Sequence, residues 1–450
     1  MISYTKRLSY AAADTGGQLV FGVISNYLLY FYTDVAGISV GIAGTILLVA
    51  RCIDGIDAPV WGIVLDKTHS RWGKSRPWFL WLAAPYATFG VLTFLTPNLG
   101  TTAKVLYSAC TYIVCGILYT GINTPVTSIL SALTPDPRER VMLTTFRMIG
   151  SKAGVLIVNA TALPLVALLG HGNDKRGFML TMPLFATGSP LLFLLAFRNL
   201  EETVKVERKT LPILTSLRAI RGNWPWIIIF VSSLLFWIAY ISRVSAIIYY
   251  FTYVLNRKDL VPLVNSLDIV SLSAVVFMPW FCRFTSKANL WAIGLVGSVG
   301  GQLIMQLGAP SLDMVFTGWI FATVTGGVAM AIPFSILADS VDYGEWKTGI
   351  RAPGLLAAVG AAFCLKAGSG IGGALPAWIM AAHGYVPNVA QTASSLAGIR
   401  IGFIWLPALF FAMSTIPVLF YKKYELLEGR IHAELDQRRA ASPLRYDNNP

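Results

Sequence analysis

Of the 450 residues, 55% are hydrophobic and only 13% charged, and the mean hydropathy is +0.63. A soluble chain carries about 25% charged residues, so a water-covered surface is excluded for a protein of this size, and an aromatic content of 12% excludes disorder. Thirty-five Lys and Arg against 22 Asp and Glu leave +13; in a chain that crosses lipid repeatedly this excess belongs in cytoplasmic loops, not to nucleic-acid binding.

Apolar runs near the length of a membrane span, about 20 residues, fall at 17–36, 39–65, 77–97, 103–132, 141–169 and 177–197, then at 224–254, 260–282, 288–309, 313–338, 352–382 and 396–421. The opening MISYTKRLSY has a basic pair but leads directly into a long first segment, so no removable signal peptide is expected. Lys and Arg sort the loops: one alternate set holds Lys67, Arg71, Lys74, Arg76, Arg138, Arg140, Lys205, Arg208, Lys209, Arg218, Arg221, Arg283, Lys287 and Lys347. The opposite set holds only Lys104, Lys175, Arg176, Arg257 and Lys258. Both termini are therefore expected to be cytoplasmic, in a plasma (inner) membrane, with an even number of spans.

The polar stretch 199–223 lies at the midpoint and reads as a cytoplasmic linker between six-helix bundles at 1–198 and 224–424, with 425–450 as a cytoplasmic tail. Two echoes support a repeat. LYFYTDV at 29–35 matches IYYFTYV at 248–254, and SKAG at 151–154 matches LKAG at 365–368. An all-α membrane protein of twelve spans in two parallel halves is a carrier architecture.

The charges left inside spans are informative. Arg51, Asp54 and Asp57 recur every third residue in the second segment and can share a helix face. Each costs about 2.5–3.5 kcal/mol at a span centre. They form either an Arg–Asp clamp or, with one acid in excess, a site for a coupling cation or proton. Arg147 and Lys152 lie in the fifth segment and Lys366 in the eleventh. Arg147 either snorkels, pairs with a buried acid or meets substrate; Lys366 is placed mid-segment, where a water-filled cavity and a polar or anionic substrate suit it. Arg243 and Asp268 are read as pairing with each other and receive no role. Gln18, Asn26, Thr120, Asn123 and Thr127 offer neutral hydrogen-bonding groups of the kind sugars need, or serve as glue between helices. Five cysteines without a C-x-x-C, four histidines without ligand spacing, and the lack of a serine–histidine–acid set predict no enzyme, structural metal or cofactor.

LSYAAADTGGQL at 8–19, YLLYFYTDVAGIS at 27–39, GIVLDKTHSRWGKSRPW at 62–78, TPDPRER at 134–140, ADSVDYGEWKTGIR at 338–351 and HGYVPNVAQ at 383–391 resemble the glycoside–pentoside–hexuronide:cation symporters of the major facilitator superfamily. The resemblance runs from residue 8 to about 424. It implies the major facilitator fold, alternating access, and sugar import driven by H⁺, Na⁺ or Li⁺. Asp54 matches the first cation-binding acid of the melibiose carriers, and Thr120 matches a residue near that site. Ala58 stands where the second acid is found, with Asp57 just before it. Coupling through Asp57, proton coupling through Asp54, and an uncoupled facilitator or sensor all remain open.

In the sugar site, Gln18 and Asn123 occupy carboxylate positions of the melibiose carriers, and Thr127 and Met330 occupy tryptophan positions. Arg147 and Lys366 are matched. GIGGALPAWIM at 371–381 and Asn123 are similar to glucuronide carriers. Two cations without the two carboxylates favour an acidic glycoside such as a hexuronide, with a neutral pentoside or galactoside as the alternative. Asp66, Arg71, Arg138, Glu139, Arg140, Asp339, Asp342 and Glu345 match a cytoplasmic gate, or else cap the helix ends. The expected partners are thus a sugar, a coupling ion and the bilayer.

Overall fold

The computed structural model describes residues 3–134, 136–202, 220, 222–308, 311–350, 356 and 358–440, and among the described residues every regular element is helical. Hydrocarbon offers backbone amides no water, so helices that satisfy their own hydrogen bonds are the stable solution. Among the described residues eight helical stretches are long and apolar enough to cross a membrane: Thr101–Leu133, Arg138–Gly170, Asp174–Asn199, Trp224–Val254, Lys258–Met278, Lys287–Gly308, Leu312–Thr348 and Ala393–Arg438.

The other four expected segments fall short for identifiable reasons. Helix α1 (Tyr4–Tyr30) begins well before residue 17, and its early turns carry Asp14, Thr15 and Gln18. Helix α2 (Val40–Lys67) is continuous through Arg51, Asp54 and Asp57, whose charges lower its apolarity. The stretch 77–97 divides at Leu82 into α3 (Arg76–Trp81) and α4 (Ala83–Thr93). Pro85 lies just after that break and lacks the N–H that a continuous helix would use there. Of 352–382, the described part is a π-helical turn at Ala358–Phe363 and a following helix, Cys364–Ala382. Most of the linker 199–223 lies outside the described residues.

Cα packing divides the chain into two units that are not consecutive in sequence: Met1–Arg208 with Ser242–Ile269 and Gly370–Phe403, and Lys209–Ile241 with Val270–Ser369 and Ile404–Pro450. In the first unit, α1 to α4 are joined by α5 (Thr101–Leu133), α6 (Pro137–Gly170) and α7 (Asp174–Asn199). Small residues set the α1–α6 distance. A Cβ on Gly150 would collide with the Ala11 carbonyl, and one on Gly154 would lie 2.8 Å from the Gln18 Cβ. Four-residue spacing of glycines lets membrane helices approach closely.

Helix α8 (Trp224–Tyr249) ends in a π-helical turn at Tyr250–Val254, just as α1 ends in one at Phe31–Val35. The echoed heptapeptides therefore share a backbone form. The segment 260–282 is broken into a 3-10 turn (Lys258–Leu260), α9 (Val261–Ser266), a second 3-10 turn (Leu267–Val270) that holds Asp268, and α10 (Ser271–Phe281). Next come α11 (Lys287–Gly308), α12 (Leu312–Thr348), α13 (Cys364–Ala382), α14 (Ala393–Arg400) and α15 (Leu406–Ala440). Helix α15 continues beyond residue 424 through the polar segment to Ala440. Around Trp291, Phe236, Ile336, Phe411, Tyr421 and Tyr424 a buried apolar core holds the second unit.

Candidate functional site

Three side-chain groups stand out in the first unit. On α2, Arg51 Nη1 lies 3.0 Å from Asp54 Oδ2, and the guanidinium sits 5.0 Å from the centre of the Phe21 ring. Asp54 and Asp57 are both buried, with 6% and 9% of their surface exposed. Asp54 fits because its neighbour on α5 is Gly116, where a Cβ would lie 2.8 Å from Asp54 Oδ1. Thr120, also buried, is one turn along α5 from Gly116. Arg51 thus engages Asp54, the contact that the clamp of the sequence reading calls for.

The second group joins α1, α5 and α6. Arg147 donates from Nη1 to Thr127 Oγ1 at 3.1 Å and from Nη2 to Asn123 Oδ1 at 3.1 Å. Its Nε lies 3.4 Å from Asp14 Oδ1, and the two side chains retain 22% and 13% of their surface. Gln18 donates to Ser151 Oγ at 3.2 Å and to the Tyr119 hydroxyl at 3.5 Å. The Tyr119 ring stacks on Phe21 at 4.1 Å, so aromatic contacts link this group to Arg51. The glycines that bring α1 against α6 are what place Asp14 and Gln18 opposite Arg147 and Ser151. Asp14 is absent from the sequence-derived site. Its signal was available: it lies four residues before Gln18 and so shares that helix face.

The third group centres on Lys152, whose ammonium lies 3.2 Å from Asp268 Oδ2. Nearby, Asn26 donates to Asn159 Oδ1 at 2.8 Å, and Asn159 donates to the Asn265 carbonyl at 3.0 Å. Met330 and Lys366 fall in the second unit. Met330 lines a small apolar pocket there with Ser233, Trp237, Pro333 and Phe334, and Lys366 is half-buried.

Four of the gate candidates, Arg71, Glu139, Arg140 and Asp339, make side-chain contacts within their own units. Arg7 lies 3.0 Å from Glu139, and Arg140 donates to the Thr134 carbonyl at 2.9 Å. Arg71 covers the Trp72 ring at 4.4 Å, while Asp66 and Arg138 are exposed. In the second unit Asp339 Oδ2 takes Lys287 at 2.8 Å and the Tyr421 hydroxyl at 3.1 Å. Asp342 and Glu345 follow on the same helix, α12. Glu202 was also missed. Its carboxylate accepts the backbone N–H groups of Lys74, Ser75 and Arg76 at 3.0, 2.6 and 3.1 Å, which fixes the loop after α2 against the end of α7.

Charged and amide side chains converge here from α1 and from α5 and α6, the last two long and apolar enough to cross a membrane, an arrangement that suits a carrier of polar solutes. The chain matches the family model described as MFS/sugar transport protein over residues 9–423 and belongs to that family of transporters. It is 40% identical over 446 residues to the isoprimeverose transporter of Lactiplantibacillus pentosus, covering 98% of this chain and 93% of that one. It is 30% identical to the inner membrane symporter YicJ of Escherichia coli (strain K12), covering 97% and 95%. Among solved structures the D-xylose-proton symporter superposes with a TM-score of 0.65 at 15% identity, covering 92% of this chain and 97% of that one, a likeness of fold alone. The protein is a multi-pass membrane sugar symporter, not an enzyme.

Proposed function

We propose that the chain imports a neutral pentosyl disaccharide, of the kind named for its isoprimeverose-transporting relative, together with H⁺ or Na⁺. Twelve spans in two six-helix halves, 1–198 and 224–424, alternate access across the plasma membrane with both termini cytoplasmic. The observation that carries the substrate class is Asp14 beside Arg147. With this carboxylate at 3.4 Å, the cation does not demand an anionic ligand. Gln18, Asn123, Thr127 and Ser151 then present amides and hydroxyls to sugar hydroxyls; Met330 and Lys366 are kept as substrate-binding candidates by the resemblance. Asp54 and Asp57, aided by Thr120 and restrained by Arg51, hold the coupling ion or proton. Asp66, Arg71, Arg138, Glu139, Arg140, Asp339, Asp342 and Glu345 are the gate residues, among them Glu139, paired with Arg7, and Asp339, paired with Lys287.

An acidic glycoside is the second reading. Asp14 meets Arg147 at Nε at 3.4 Å, and a hexuronate that displaced it would pair with the guanidinium. Counterflow in proteoliposomes with a labelled xylosyl disaccharide separates the two, because it needs no ion gradient. Competition by neutral pentosides and not by glucuronides supports the neutral reading. Competition confined to glucuronides overturns it in favour of the acidic one.

A further inference from the structure

We propose that Asp34 and three tyrosines, Tyr249, Tyr253 and Tyr385, form a latch that closes the sugar path at the extracellular side and must release before sugar enters; the sidedness rests on the orientation proposed above. All four residues belong to the first unit, but they come from three distant stretches of chain. Asp34 sits in the π-helical turn after α1, and Tyr253 sits in the π-helical turn after α8. Tyr385 follows α13.

The Asp34 carboxylate, 8% exposed, accepts from the Tyr253 hydroxyl on Oδ1 and from the Tyr385 hydroxyl at 2.9 Å on each oxygen. Thr33 Oγ1 donates to Asp34 Oδ2 at 2.6 Å and lies 2.7 Å from the Tyr249 hydroxyl. Asn388 completes the set. Its side chain donates to the Asp34 carbonyl at 2.7 Å, and its backbone N–H donates to the Tyr253 hydroxyl at 3.0 Å. A second contact lies beside it, where Lys258 reaches the Tyr30 hydroxyl at 2.8 Å and that hydroxyl donates to Asp174 Oδ2 at 2.7 Å.

Three features make this a release device and not a permanent brace. Every tie to Asp34 from the later stretches runs through a hydroxyl or amide, and when the stretches part each group finds water instead; Lys258 also pairs with Asp174, but both side chains keep about a third of their surface exposed, so water can take up that pair as well. Both turns that carry Asp34 and Tyr253 are π-helical, a rare form that recurs at functional sites. The helices nearby also meet through small residues. A Cβ on Gly44 of α2 would lie 2.7 Å from the Ala377 Cβ of α13, and one on Gly41 would lie 3.4 Å from the Ala381 Cβ. Such surfaces separate without unlocking interdigitated side chains.

The test uses the full chain with its five native cysteines replaced and a reporter thiol introduced by Ser25→Cys. Ser25 is exposed on α1, seven residues from Gln18 on the same helix face, and roughly 14 Å below Asp34 along the helix. Intact cells are treated with a membrane-impermeant maleimide. Tyr253→Phe and Tyr385→Phe each remove one hydroxyl, and Asp34→Asn removes the charge. Each is expected to speed labelling roughly fivefold, the change in equilibrium constant that losing one hydrogen bond brings, while sugar counterflow persists. Unchanged labelling in all variants that retain counterflow overturns the latch, and Tyr253→Phe keeps the test open if Asp34→Asn fails to fold. Faster labelling only in inverted vesicles overturns the extracellular placement and, with it, the proposed orientation.

Discussion

Replacing Asp14 by Asn tests the charge argument on which the substrate class rests. The variant keeps the shape of the side chain and removes the negative charge 3.4 Å from Arg147. At that distance two unit charges attract by roughly 5 kcal/mol at an effective dielectric near 20. Desolvation of the pair offsets part of this, and stranding one partner of a buried pair costs about 3 kcal/mol. Both side chains keep some exposure, so water recovers a further share. About 2 kcal/mol then remains to be gained by an anionic ligand, a shift of roughly 30-fold. The assay is counterflow competition in proteoliposomes, reading the inhibition constants of a glucuronide and of a neutral xylosyl disaccharide on both proteins. Asp14→Asn is expected to move their ratio toward the glucuronide by that factor. A ratio that stays within twofold of the unmutated protein would refute the idea that Asp14 sets the charge of the site.

Asp54→Asn is expected to retain counterflow but to abolish accumulation against a gradient; normal accumulation in ion-driven uptake would remove Asp54 from the coupling site. Gly154→Val places methyl groups where α1 and α6 touch, the Cβ itself falling 2.8 Å from the Gln18 Cβ. Such overpacking costs about 1–3 kcal/mol, so the unfolding midpoint in detergent drops and sugar affinity falls with the lost Gln18–Ser151 contact. An unchanged midpoint would show that the helices are not closely apposed. Glu202→Ala leaves three backbone N–H groups without their carboxylate, at a cost of about 2–3 kcal/mol, and limited proteolysis should then cut the loop at 68–75 faster. Equal cutting rates would mean that Glu202 does not hold this loop.

How far the sequence carried the reading depended on whether a feature is local. The family, the helical class and the α2 charge cluster rest on contiguous residues, and Arg51 and Asp54 lie on one face as their spacing requires. Asp14 escaped because the first span was drawn from residue 17 by apolarity, whereas α1 starts at Tyr4. Tertiary packing against α6 supports those polar turns, and hydropathy does not register that packing. The division of 77–97 at Leu82 was masked in the same way, since both pieces are apolar and only Pro85 hints at the break. Glu202 and Lys74, or Arg7 and Glu139, are separated by more than a hundred residues, and no spacing rule joins them. The echo at 29–35 and 248–254 was legible as a repeat, but its meaning as a contact was not.

That contact carries a consequence for the two halves. Asp34 and Tyr253 hold the same place in the echoed heptapeptides, and one bonds to the other. Two identical residues could not do this: a pair of carboxylates would repel, and a pair of phenols would leave no charged acceptor. The bond therefore requires that the two copies differ at this position. A molecule assembled from two copies of the same half would fold its helices alike yet lack this bond, so the internal symmetry has been broken where the copies meet.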